Sequence, residues 1–443
     1  MSTIIGDIIT IGGGGSSSGG DIYALISVTY PAGSTCTATN GTTTLTAADT
    51  SGKVVFGVPE PASTPDVWTI SCSGSGDSAS DTVSITEHGQ YEEVELKYAQ
   101  IYGVSWDGTS TTAWTRTDAS ASFADPVPYI AGASSYGSPF DDISPWKDME
   151  IVEDSAAGTM VKIPKFWYKL SQNGSGMSIQ ISNGPQDGFS VCPACMDRGD
   201  GKGERDYILV GRYHCATSTY KSTSGVKPAG NATRSSFRTS IKNLGAGIYQ
   251  WDFATRFTIW LLYLVEFADW NSQAKIGYGC GNNSATGNMG YTDSMPYHTG
   301  TTKSSRTTYG VSTQYRNIEG LWDNVRDWID GCYYNSSGLN IITNPSSFSD
   351  STGGTAVGVP SSGYPSAFSV KSVNGTFPMF IPAAASGSDS TYSCDYWDYY
   401  SSTPCLYAGG YYYQGTASGM FYIFSDNTSS SPAHVGSRSM KLP

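Results

Sequence analysis

The stretch Tyr315-Arg-Asn-Ile-Glu-Gly-Leu-Trp-Asp-Asn-Val-Arg-Asp-Trp-Ile-Asp-Gly331 decides how the larger part of this chain is read. Leu321 and Val325 lie four residues apart, and Trp322 and Trp328 are bulky fillers beside them. A segment of this kind staples an irregular loop region to a sheet edge. Its acids Asp323, Asp327 and Asp330, like the pair Asp141-Asp142, read as surface or cap carboxylates more simply than as a calcium site.

Helical periodicity lies upstream of this stretch. It predicts a helix over 252–270, with Asp252 as N-cap and Phe253, Phe257, Trp260, Leu261, Leu264, Val265 and Ala268 on a buried face. A second helix is expected over 235–243, ended by Gly245. Two helices among many strands and long loops make residues 161–443 an α+β domain. Residues 99–160, punctuated by Pro126, Pro128, Pro139 and Pro145, read as a β connector.

Residues 21–98 alternate apolar and polar positions in short runs, among them 24–30, 53–57, 67–72 and 81–86, separated by Gly, Asn and Pro turns. That pattern signals a β-sandwich. It resembles the small immunoglobulin-like or carboxypeptidase-regulatory-like domains used as spacers. Cys36 and Cys72 are placed to bridge its two sheets, with reduced, buried thiols as the favoured reading. Residues 11–20 are a Gly/Ser linker. The short apolar segment 1–10 before it is expected to dock into another chain.

The composition narrows the function classes. The 443 residues include 52 Gly and 30 Tyr, and only 14% are charged, which suits a β-rich, loop-heavy and extracellular character. The net charge is −13 at pH 7, so nucleic acid is not an expected partner: duplex phosphates call for clustered Lys and Arg. The N-terminus has neither a basic n-region nor an apolar h-region, so no secretory leader is expected. The longest apolar run, 257–265, is far short of the ~20 residues that span a bilayer, and no membrane segment is expected.

Nine tyrosines fall between Tyr392 and Tyr422, in a stretch otherwise rich in Ser, Gly, Asp and Thr. Tyr with small polar residues makes an adaptable contact surface: the phenol offers large, rather rigid amphipathic area, and its neighbours hydrogen-bond with little steric demand. This vocabulary belongs to recognition more than to catalysis.

A series of motifs then points to a family. Met160-Val-Lys-Ile-Pro-Lys-Phe-Trp-Tyr168 and Leu209-Val-Gly-Arg-Tyr213 come first, followed by Leu264-Val-Glu-Phe-Ala-Asp269 and the 315–331 stretch. Gly409-Gly410, Ser418-Gly-Met-Phe421 and Gly436-Ser-Arg438 complete it. The series resembles the C-type-lectin-like fold shared by formylglycine-generating-enzyme-like proteins, phage tropism determinants and targets of diversity-generating retroelements. The resemblance covers roughly 160–443. It implies a phage tail receptor-binding protein, a virion component without catalytic activity, cofactor or metal. Its partners would be a bacterial surface receptor (protein or glycan) and other tail proteins reached through the N-terminus, in a homotrimer or larger assembly.

The resemblance also assigns residues. A binding face at about 392–434 would use Tyr411, Tyr412, Tyr413, Gln414, Thr416, Phe424, Asp426, Asn427 and His434. These match the menu that adenine-directed codon rewriting produces, except that Gln414 fits it less well. Trp322, Trp328, Gly409, Gly410, Gly436 and Arg438 would be frame, with Arg438 pairing a buried acid such as Glu319 or Asp330. Cys394-Asp-Tyr-Trp-Asp-Tyr-Tyr400 reads as scaffold whose outer tyrosines join the surface.

The sequence also holds residues that rival chemistries would use. Cys192-Pro-Ala-Cys195 with His214-Cys215 admits a zinc site, a redox pair, a disulfide or plain buried thiols; the adjacency of His214 and Cys215 argues against one shared ion. Cys394 and Cys405 are the late cysteines a formylglycine-generating enzyme would need, but they precede Gly409 rather than lie by the terminal strands. Asp395, Asp398 and Asp426 could serve glycoside hydrolysis only at a fixed separation. A structural virion protein, using the tyrosine patch as a subunit interface, is the alternative from another class.

Overall fold

The computed structural model describes residues 8–9, 22–47, 50–74, 77–96, 98–279, 285–310, 313–417 and 419–443. The chain is β-rich and divides into two compact units, Met1–Gln100 and Ile101–Pro443.

In the first unit, strand Ile22–Thr29 pairs antiparallel with Lys53–Pro59 and parallel with Tyr91–Glu95. A second sheet orders Thr44–Thr46, Thr35–Thr39, Asp66–Gly74 and Asp77–Ile85. Alternation along each strand sends one set of side chains inward. Ile26, Val28, Phe56 and Val58 of the first sheet share a core with Ala38, Trp68, Ile70 and Val83 of the second.

Two expectations change in this unit. Cys36 and Cys72 do not face each other from different sheets; they are direct cross-strand neighbours within one sheet, and both thiols are free. Most of the segment expected to dock elsewhere lies outside the described residues, as does the Gly/Ser linker. Its described part, Ile8–Ile9, pairs parallel with Val55 and Phe56 of its own sheet.

The second unit is built around one long helix. Helix α1 spans Arg234–Lys242, and Thr233 caps it by accepting from the Ser236 N–H. Helix α2 spans Phe253–Phe267, and the Asp252 carboxylate accepts from the Thr255 N–H. Helix α2 stops three residues short of Trp270, because Ala268 turns left-handed at φ 49°. All of its residues are buried, not only the expected stripe. A helix that is apolar on every side must be surrounded by other elements. A third, short helix, α3, spans Ser272–Lys275.

On one side of α2 runs the sheet Trp114–Asp118, Ile101–Trp106, Gly176–Ser182, Trp167–Asn173 and Ser190–Val191. Trp106 packs edge-on against Trp270 at 5.5 Å, and the Trp146 indole donates to the Leu262 carbonyl. Residues 101–160 are therefore not a connector. They supply three strands, the start of a fourth and core tryptophans to the body of the second unit. A further sheet orders Ile151–Asp154, Gly158–Pro164, Tyr207–Gly211, Ser439–Lys441 and Ile248–Gln250, so the C-terminal strand is an interior one. Among the described residues no helix is long and apolar enough to cross a membrane.

Candidate functional site

The tyrosine-rich segment is carried by a four-stranded sheet ordered Ile423–Asp426, Cys405–Ala408, Arg326–Trp328 and Val435–Gly436. The 315–331 stretch thus contributes an interior strand, with a neighbour on each side, rather than a staple at an edge. Alternation along Arg326–Trp328 assigns two faces. Asp327 looks inward to Arg438, while Arg326 and the buried Trp328 take the opposite face, against Tyr407.

On the inward side, Arg438 pairs with Asp327 at 3.1 Å, not with the carboxylate of Glu319 or Asp330. Its remaining donors go to the carbonyls of Gly211, Arg212, Glu319 and Gly320. The Glu319 carboxylate instead accepts from Thr292 and the Gly290 N–H, and Asp330 pairs with Arg238. Burial pushes the Asp327 carboxyl up, but His214, Arg438 and Arg256 together outweigh it and hold it below its usual range. Burial, then Arg438, holds His214 down. Its Nε2 lies 3.2 Å from Arg438 Nη2 and 3.4 Å from Asp327 Oδ2, between the two members of the ion pair.

On the outward side, Arg326 is the hub. Its guanidinium stacks over Tyr411 at 4.4 Å, Tyr407 at 5.0 Å and Tyr422 at 5.5 Å. Nε and Nη2 both donate to Gln414 Oε1, at 2.9 and 2.6 Å. Phe424 lies opposite Tyr407 in register and stacks on it at 5.6 Å, with Tyr422 nearly parallel to Phe424 at 6.2 Å. Tyr396 and Tyr364 extend the row beyond Phe424, and His434 and Tyr412 flank Tyr411. Burial raises the Tyr407 and Tyr422 phenols, which stay neutral hydrogen-bonding groups at physiological pH. Burial and Arg326 lower His434.

The structure brings together Tyr411, Tyr412, Gln414, Phe424 and His434 of the expected binding residues. Tyr413, 64% exposed, and Thr416 point to solvent from the same loop. Asp426 accepts from Ser430 Oγ and the Asn427 N–H, so these two shape a turn at the far end of the strand. Arg326, Tyr407 and Tyr422 were not foreseen as part of the face. A chain signal for Arg326 existed: it is one of 25 basic residues against 38 acids, two positions from a tryptophan on a strand.

The loop between Gly409 and Phe421 is held from beneath. Gly409 has φ +74°, and a Cβ there would meet the Leu321 carbonyl at 2.4 Å. Arg256 and Trp260 of α2 both donate to the Met420 carbonyl, and Asp395 accepts from the Phe421 N–H at 2.8 Å. Gln273 of α3 donates to the Gly415 carbonyl. The Trp322 and Trp328 indoles donate to the Gly277 and Ala232 carbonyls, tying neighbouring loops to the same frame.

Comparison with family models gave no match, and a search of curated proteins gave none either. The remaining chemistry is therefore judged on geometry. Cys192 and Cys195 are buried in the main core, Cys215 lies in another cluster, and His214 is engaged with Arg438, so these four do not converge. Cys394 and Cys405 likewise fall in separate clusters. Asp395 and Asp398 are buried and spend their oxygens on Phe421 and Ser425. A surface groove of about 590 Å³ lies elsewhere, against Trp167, Val191, Asp197 and Thr376.

Proposed function

We propose that this chain is a bacteriophage virion adhesin, a tail-fibre or tail-tip receptor-binding protein that attaches the particle to a bacterial surface. Residues 101–443 would be its C-type-lectin-like recognition domain, and the first unit an immunoglobulin-like spacer. The observation that carries the reading is the face around Arg326, where half-buried and exposed rings (Tyr411, Tyr412, Tyr413, Phe424) rest on the buried Tyr407 and Tyr422 of a rigid sheet. The rings are pre-ordered by stacking and by Gln414, so little conformational entropy is lost when a partner binds.

The mechanism is adhesion without bond-making. Tyr411, Tyr412 and Tyr413 supply the aromatic anchors, and the surrounding polar groups exclude water from them. Weak single sites gain strength from display in many copies on one particle, so a homotrimer or larger assembly fits this role.

The test is binding of the labelled full chain to candidate host cells, beside a triple variant with Tyr411→Ala, Tyr412→Ala and Tyr413→Ala. At least a tenfold loss of attachment is expected if these rings are hot spots worth about 1–2 kcal/mol each. Undiminished attachment by a folded variant overturns the assignment. A change in oligomer mass with attachment intact would instead make the face a subunit interface.

A further inference from the structure

We infer that the Arg326 face takes a carboxylate-bearing saccharide, the carboxylate seated on Arg326 and the sugar ring against the flanking tyrosines. This rests on the reading of that face as a recognition surface and adds the chemistry of its ligand. Three observations carry it.

The first is charge. Arg116, Arg198, Arg205, Arg212, Arg234, Arg238, Arg316 and Arg438 each pair with a carboxylate, while Arg256 and Arg306 donate to backbone carbonyls. Arg326 is half-buried, and among the described residues it makes no ion pair in a chain of 38 acids. Its protein partners are the neutral Gln414 amide, the Tyr422 hydroxyl and three ring faces. A partly buried cation neutralised only by ring quadrupoles leaves an anion-sized deficit on the molecule's surface.

The second is geometry. Gln414 draws on Nε and Nη2 from one side, while Nη1 has no acceptor among the described residues. Nη1 and the Nη2 hydrogen turned away from Gln414, which meets only the Tyr422 hydroxyl at 3.5 Å, form a planar fork that matches a carboxylate. Three stacked rings hold the guanidinium in place, so the fork is ordered before the ligand arrives. The third is the character of the rim. Tyr411, Tyr412 and Tyr413 carry hydroxyls, His434 a ring nitrogen, and among the described residues none of the exposed large aliphatic side chains belongs to residues 405–436. Flat, hydroxyl-edged rings without large exposed aliphatic neighbours suit the mixed apolar and hydroxylated faces of a pyranose better than the apolar patch of a protein partner.

The experiment titrates the full chain with methyl α-glucuronide, methyl α-N-acetylneuraminide and the neutral methyl α-glucoside, followed by ligand-observed NMR. At least one acidic sugar should bind roughly tenfold more tightly than the glucoside, the worth of one charge-assisted contact, and the advantage should shrink as salt rises. Arg326→Gln should erase that preference. Gln414→Glu should erase it too while leaving Arg326 in place, because the new carboxylate, held on the Nε/Nη2 edge, neutralises the guanidinium; this second variant covers the case in which Arg326→Gln does not fold. Equal affinity for acidic and neutral sugars, or a preference that survives Gln414→Glu, overturns the inference. If that happens while the triple tyrosine variant still loses host cells, only the ligand chemistry is wrong. If the triple variant attaches normally, the recognition face itself is wrong.

Discussion

Gly409 and Asp395 set the two ends of the tyrosine loop, and each allows a sharp test. Gly409 combines a left-handed φ of +74° with the Leu321 carbonyl 2.4 Å from where a Cβ would sit. Gly409→Ala is expected to cost about 3 kcal/mol or more, from backbone strain and the clash together, read as a lower urea midpoint. Asp395 is fully buried, and that burial raises its carboxyl to about 7 against the opposing pull of the Phe421 N–H and Arg256. Its unfolded value lies near 4 (roughly 3.9), so the folded state binds more protons between those values. The stability contribution of Asp395 is therefore full below pH ~4 and is lost as pH rises through about 7. Asp395→Asn should flatten that part of the stability profile; urea melts between pH 4.5 and 7.5 with unchanged slopes would refute the assignment. At this scale the sequence identified the tyrosines and the structural role of Arg438. It misplaced the partner of Arg438, because Glu319, Asp327 and Asp330 are all nearby in sequence and only strand alternation decides which one points inward.

At the scale of elements, legibility followed length. Helix α2 was readable with its cap, because fifteen residues give periodicity room to show and Asp252 supplies the missing acceptor. The strands that build the site were not, since Arg326–Trp328 has three residues and Val435–Gly436 two, too short for any alternation to be recognised. Helix α2 also positions the site, through Arg256 and Trp260 on the Met420 carbonyl. Trp260→Ala should cost about 3–5 kcal/mol for the cavity alone. It should also loosen the tyrosine loop, seen as faster amide exchange at Phe421 and Tyr422 than in a control such as Ile241→Val on α1. Protection unchanged at those two amides would mean the loop is held without α2.

For the whole molecule, the sequence placed the start of the second domain near residue 161, whereas the compact unit begins at Ile101. Strand Ile101–Trp106 lies between Trp114–Asp118 and Gly176–Ser182, and Trp106 and Trp146 are in the core. A chain of residues 101–443 should therefore fold with a cooperative thermal transition, while one of residues 161–443 should be insoluble or expose apolar surface to a hydrophobic dye. Equal folding of both would restore the connector reading. Composition and local pattern were enough to determine a β-rich, two-part chain, one long buried helix and a tyrosine-rich segment, because those properties are summed over many neighbouring residues. Tertiary structure alone decided that Arg326 sits among Tyr407, Tyr411 and Tyr422, that Asp327 is the partner of Arg438, and that residues 101–160 belong to the body. Each of these depends on contacts between residues far apart in the chain, whose pairing is set by strand register and core packing and leaves no trace in local periodicity.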